Sequence, residues 1–110
     1  MNLLGVIASQ NYSRTISVDF LVIAGGGGGG IEPGGNNQPG GGGAGGLRSS
    51  VNETGGGSPP ESALTLSLNT NYTVTIGGGG TGGATAANGS NSTFHTITST
   101  GGGAGVTVIS

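Results

Sequence analysis

Residues 70–76 carry the cleanest alternation in the chain, with Tyr72, Val74 and Ile76 on one side and Asn71, Thr73 and Thr75 on the other. Side chains of an extended strand change face at every residue, so this pattern predicts an antiparallel strand with one wet face. Residues 17–24 read differently, because Val18 and the run from Phe20 to Ala24 leave almost no polar face. Such a run predicts a strand covered on both sides. Residues 92–98 set Phe94, Thr96 and Thr98 against Thr93, His95 and Ile97, residues 64–68 alternate through Leu64, Leu66 and Leu68, and residues 105–110 predict a short terminal strand. No window repeats its apolar residues at the helical spacing. The expected fold is all-β, a compact antiparallel module resembling a sandwich.

Between these elements lie tracts that side-chain patterning does not describe. Of the 110 residues 29 are glycine, concentrated at 25–46, 55–60, 77–89 and 101–105. Tracts of this composition are flexible linkers in many proteins. Here they sit inside the strand order, and several begin where a strand stops. Glycine backbone can continue as an extended, polyproline-II-like helix with three residues per turn, in which neighbouring chains come close and exchange N–H and C=O contacts. Pro33, Pro39, Pro59 and Pro60 hold φ near the same value and stiffen the loops. The tracts are therefore expected to be ordered parts of the fold.

Composition limits what such a fold can do. Apolar residues make up 31%, four residues are aromatic, and a side-chain core is necessarily small, which favours assembly with copies of the same chain as a trimer or larger. Disorder is the other reading of a glycine-rich chain, but 5% charged residues and a net charge of −2 remove the usual electrostatic cause. With Arg14 and Arg48 as the cations and no lysine, neither phosphate neutralisation nor an anionic membrane surface is served. Nucleic acid and membrane insertion are expected to play no part. Residues 1–9 are mildly apolar without a basic start, and are read as mature structure, a secretory leader being the alternative.

The chemistry-bearing residues are few. Gly-x-Gly-x-x-Gly spacing occurs in any glycine run, and no strand–helix unit stands behind it here, so no cofactor is expected. Glu32, Glu53 and Glu61 fall in loops, and His95 has neither cysteine nor a neighbouring acid, so no catalytic or metal-binding residue is assigned. Asp19 lies on the most apolar strand and needs a partner, for which Arg48 is the candidate through a bidentate guanidinium–carboxylate pair. Five Asn-x-Ser/Thr sequons are present in a chain already rich in those residues.

The order of blocks adds a family likeness. Residues 18–30, VDFLVIAGGGGGG, then 40–48, GGGGAGGLR, then 72–80, YTVTIGGGG, 88–94, NGSNSTF, and 97–103, ITSTGGG, together resemble the glycine-rich domain of bacteriophage tail-fibre and related virion proteins. The likeness implies a non-enzymatic virion structural protein, a fibre or appendage part, decoration or cement component, in contact with itself and other virion proteins. Under this reading residues 1–17 form an attachment arm with Leu3, Leu4, Val6 and Ile7 as its assembly contacts, and residues 18–110 form the glycine-rich β domain. Two other functions stay open. One is a host-receptor module reading surface glycan through Asn36, Asn37, Gln38, Asn88 and Asn91, and the other is the subunit of an extracellular filament.

Overall fold

The computed structural model describes residues 14–34 and 38–108, and among them there is no helix. Seven short strands follow in order: β1 (Thr15–Val18), β2 (Leu21–Ile23), β3 (Leu47–Ser49), β4 (Leu64–Ser67), β5 (Val74–Thr75), β6 (Ser92–Phe94) and β7 (Ile97–Ser99). All pairings are antiparallel: β1 with β4, β2 with β3, and a three-stranded sheet in the order β5-β6-β7. The all-β antiparallel fold expected from the sequence is the one observed, its strands divided among small sheets.

The expected strand at 17–24 is two strands. Phe20 N–H donates to Ser50 Oγ at 2.9 Å, Phe20 C=O accepts from Ser50 N–H at 3.1 Å, and the ladder therefore breaks at Asp19 and Phe20 before β2 begins. The break lets Phe20 and Val22 turn inward, where they meet Ile97 with Leu64 and Phe94 packed against them. This is the side-chain core of the described residues. The run at 92–98 also divides, because His95 takes a left-handed backbone, φ 51°, and with Thr96 closes a hairpin between β6 and β7. Of the alternating stretch at 70–76 only Val74 and Thr75 pair, and 105–108 contains no strand. The boundary expected at residue 17 falls inside β1.

Every strand of the β2–β3 and β5-β6-β7 sheets continues into, or emerges from, a glycine segment, whereas the β1–β4 ribbon does not. Segment 24–30 follows β2, 40–46 precedes β3, 77–83 follows β5, 87–91 precedes β6 and 100–106 follows β7. Fifteen main-chain hydrogen bonds join these five segments to one another. They advance by three residues. Ala24, Gly27 and Gly30 donate to Gly46, Gly43 and Gly40, whereas Gly25 and Gly28 donate to Ser90 and Ala87. A chain that reaches a given neighbour at every third residue has threefold screw symmetry, as a polyproline-II helix does.

The same bonds fix the arrangement. Segment 24–30 also accepts from Gly80 and Gly83 at Gly26 and Gly29, and from Gly102 and Gly105 at Gly25 and Gly28. Segment 100–106 accepts from Gly40, Gly43 and Gly46, and from Gly89; segments 77–83 and 87–91 are joined by Ala87 to Thr81 and Ser90 to Gly78. These neighbour relations describe two layers. One is the row 77–83, 24–30, 40–46, and the other is the pair 87–91 and 100–106 lying over it.

Candidate functional site

A lattice of this kind needs glycine for a specific reason. At Gly25, Gly27, Gly28, Gly30, Gly42, Gly45, Gly89, Gly102 and Gly105 an added Cβ would run into a carbonyl oxygen of an adjoining segment. At Gly28, for example, the obstacle is Thr81 C=O, which is already accepting from Ala87 N–H. The Cα of one segment faces the carbonyl of the next, the geometry of Cα–H···O contacts that accompany closely packed extended chains. Larger residues stand where the segment turns a side outward, as at Ala44, Thr81 and Thr100, all exposed, while the buried Ala24 sits at the segment's junction with β2.

Small hydroxyls join this lattice to the sheets. Ser99 Oγ, fully buried, donates to Val22 C=O at 2.7 Å, and Ser92 Oγ accepts from Gly77 N–H at 2.9 Å. Ser49 Oγ accepts from Val51 and Asn52 N–H at 3.1 Å, closing the turn after β3. A buried hydroxyl is tolerated where it replaces a missing main-chain partner. Ser99 and Ser92 do so at the place where strand pairing gives way to threefold pairing, Ser49 at the opposite end of its strand.

The residues singled out from the sequence are distributed differently from expectation. Arg48 pairs with Glu61, Nε lying 3.1 Å from Oε1 and 3.0 Å from Oε2, while Nη1 donates to Thr98 C=O at 3.3 Å. The Glu61 carboxylate pushes the guanidinium pKa up from its already high value. Asp19 accepts instead from Ser50 Oγ at 3.0 Å, so the expected Asp19–Arg48 pair is not formed. The reason is register: Arg48 stands opposite Val22 in the β2–β3 ladder, and Glu61 is held beside it by its own N–H bond to Ser49 C=O at 2.8 Å.

Asn88 and Asn91, expected on a binding loop, use their side chains within the lattice. Asn88 Oδ1 accepts from Ala104 N–H at 2.8 Å and Asn91 Oδ1 from Gly101 N–H at 2.9 Å. Gln38 is exposed on the connection between segments 24–30 and 40–46. Asn36, Asn37, Leu3, Leu4, Val6 and Ile7 lie outside the described residues. His95 is exposed and meets the Tyr72 ring edge to face, centroids 5.0 Å apart. Among the described residues no three His, Cys, Asp or Glu side chains are grouped as a metal would require.

Two surfaces remain as candidates for contact. The first is an open apolar cleft of about 460 Å³ between β2 and β5, whose walls include Leu21, Ile23, Val74 and Ile76 with Asp19 at one end. The second is the outer side of the row 77–83, 24–30, 40–46, which no described segment covers.

A polyglycine-II lattice spliced to small antiparallel sheets defines the class of the molecule, a β module held largely by its main chain. Residues 6–110 match the family described as a glycine-rich domain, and the chain belongs to that family. No curated protein and no solved structure matches it.

Proposed function

We propose that this chain is a non-enzymatic structural component of a virion, part of a phage tail fibre or appendage or a decoration or cement protein, that works by keeping a fixed shape and assembling with copies of itself and with other virion proteins. The observation that supports this reading is the glycine lattice. Its interior is main chain bonded to main chain, a construction that offers rigidity and close approach and places no reactive side chain. The virion setting rests on the ordered blocks from VDFLVIAGGGGGG to ITSTGGG, which resemble tail-fibre glycine-rich domains.

Mass spectrometry of purified particles, with gold-labelled antibody against the chain to locate it, tests the proposal. The expected result is a stoichiometric particle component. Its absence from particles, with the chain found only in free host or medium fractions, overturns the virion assignment.

A further inference from the structure

A chain with threefold symmetry has three directions for its N–H groups. In segment 24–30 one set, Ala24, Gly27 and Gly30, is bonded to segment 40–46, and a second, Gly25 and Gly28, to segment 87–91. The third set is Gly26 and Gly29. Neither donates to any described residue, and the carbonyls of Gly27 and Gly30 accept no N–H from a described residue, Gly27 C=O meeting only the Cα side of Gly42. Both unused directions fall on the outer side of the row 77–83, 24–30, 40–46, where a third layer would lie.

On that side a Cβ would be tight only at Gly82, 3.2 Å from Gly29 C=O; at the other positions glycine has no steric cause among the described residues. A Cβ at Gly26 would come no closer than 3.5 Å to another atom and one at Gly29 no closer than 3.9 Å, both ordinary contacts, and Gly79 likewise clears Gly26 C=O by 3.6 Å. Gly41, on the third segment, has nothing within 4 Å. These positions nevertheless carry no side chain. Read back by the same step of three, the rows 26–29 and 79–82 begin at Ile23 and Ile76, which are 53% and 85% exposed. The glycine surface thus runs directly into the apolar cleft between β2 and β5.

We propose that this face is an interface with a second copy of this chain, two such rows stacking outer side to outer side. A covering chain has to be free of side chains to approach and has to repeat its polar groups every three residues. The same row of another copy meets both needs, and sets its own Ile23 and Ile76 at the margin of the contact. Among the described residues no glycine segment is left to supply the cover. The chain's glycine tracts are in the lattice or, at 55–57, closed in a turn by the Thr54 to Ser58 bonds, and residues 1–13 and 35–37 contain glycine only at Gly5 and Gly35.

The inference rests on the structural-assembly reading above and adds the surface; its test uses the purified chain alone, so its outcome is separate from whether the chain occurs in particles. Sedimentation velocity and light scattering across a concentration series are expected to show a monomer–dimer equilibrium for the unaltered protein. Gly26→Leu/Gly29→Leu is expected to weaken it at least about tenfold, a change of 1.4 kcal/mol. Gly103→Leu, at a position with nothing within 4 Å but on the opposite layer, is expected to leave it unchanged. Should the double variant not fold, Ile76→Ser reads the same face from a side chain that is already exposed, again with weakened association expected. A protein that stays monomeric throughout, face variants that associate as the parent does, or a Gly103→Leu effect as large as theirs, each overturns the proposal, and a monomer would hand the face to a glycine-rich partner of another kind.

Discussion

The two ends of this molecule hold together by different physics. At the sheet end Phe20, Val22 and Ile97 exclude water as residues of an ordinary small core do. In the lattice Gly28 and Gly102 are just as buried, yet each contributes only backbone. A side-chain core loses stability when atoms are removed from it and a glycine lattice when atoms are added. The same exchange of glycine and alanine types should therefore have opposite signs at the two ends.

The largest effect is expected from Gly28→Val. The new Cβ meets Thr81 C=O, and relieving the collision must part the central segment from its neighbours, breaking several bonds at once. Overpacking a well-filled interior costs about 1–3 kcal/mol and more where backbone cannot shift, and here the obstacle is backbone on both sides. We expect a loss of about 3 kcal/mol or more by chemical denaturation. A Gly28→Val protein as stable as the parent would show that the lattice yields easily.

Phe20→Ala is the mirror experiment, with an expected cost of about 3 kcal/mol from lost transfer energy and the cavity left against Val22 and Ile97. In a domain near this size each kcal/mol moves the melting midpoint by roughly 4–8 °C, so calorimetry reads it directly. Both variants melting in a single transition would mean that the sheet end and lattice unfold as one unit; two transitions would divide them.

Arg48→Ala tests the junction between the ends. Its guanidinium joins Glu61 to Thr98 C=O of β7, but both partners of the pair are about one-third exposed, 35% and 31% of their side-chain surface. Pairs this accessible contribute about 0.2–1 kcal/mol. A double-mutant cycle should find its coupling with Glu61→Ala and none with Asp19→Ala, measured by denaturant midpoint at low salt. Coupling to Asp19 instead would restore the pair first expected from the sequence.

How much of this was legible beforehand follows from the same contrast. The glycine tracts announced their own boundaries, since each starts or stops at a run of Val, Ile, Phe or Thr, and an extended threefold conformation was the expectation for them. Which residue bonds to which could not be read, because every glycine looks alike and the register depends on segments up to about eighty positions apart, such as Gly25 and Gly102. At the sheet end the side chains were informative but their breaks were not. Ser50 ends the first strand from 30 residues away, and His95, although histidine is among the residue types enriched in the left-handed region, has no glycine or asparagine beside it to mark the turn. β3 was missed because three residues after a glycine run carry too little pattern. The bonds by which the Asn88 and Asn91 carboxamides answer N–H groups on another segment had no local sign in the sequence.

The smallest predicted effect is also the one that separates the lattice interior from its rim. At Gly103 an added Cβ meets nothing within 4 Å, and its backbone lies outside the left-handed region, so alanine fits without displacing a neighbour. Replacing glycine where the conformation is open to other residues stabilises by about 0.4–1 kcal/mol, because the unfolded chain loses freedom that the folded chain never had. Gly103→Ala should raise the melting midpoint slightly while Gly102→Ala, one residue earlier and aimed at Gly43 C=O, lowers it sharply. Adjacent positions moving in opposite directions is the outcome that packing by threefold symmetry requires. If both substitutions were harmless, segment 100–106 would be a flexible strap, and the lattice would shrink to the segments that remain.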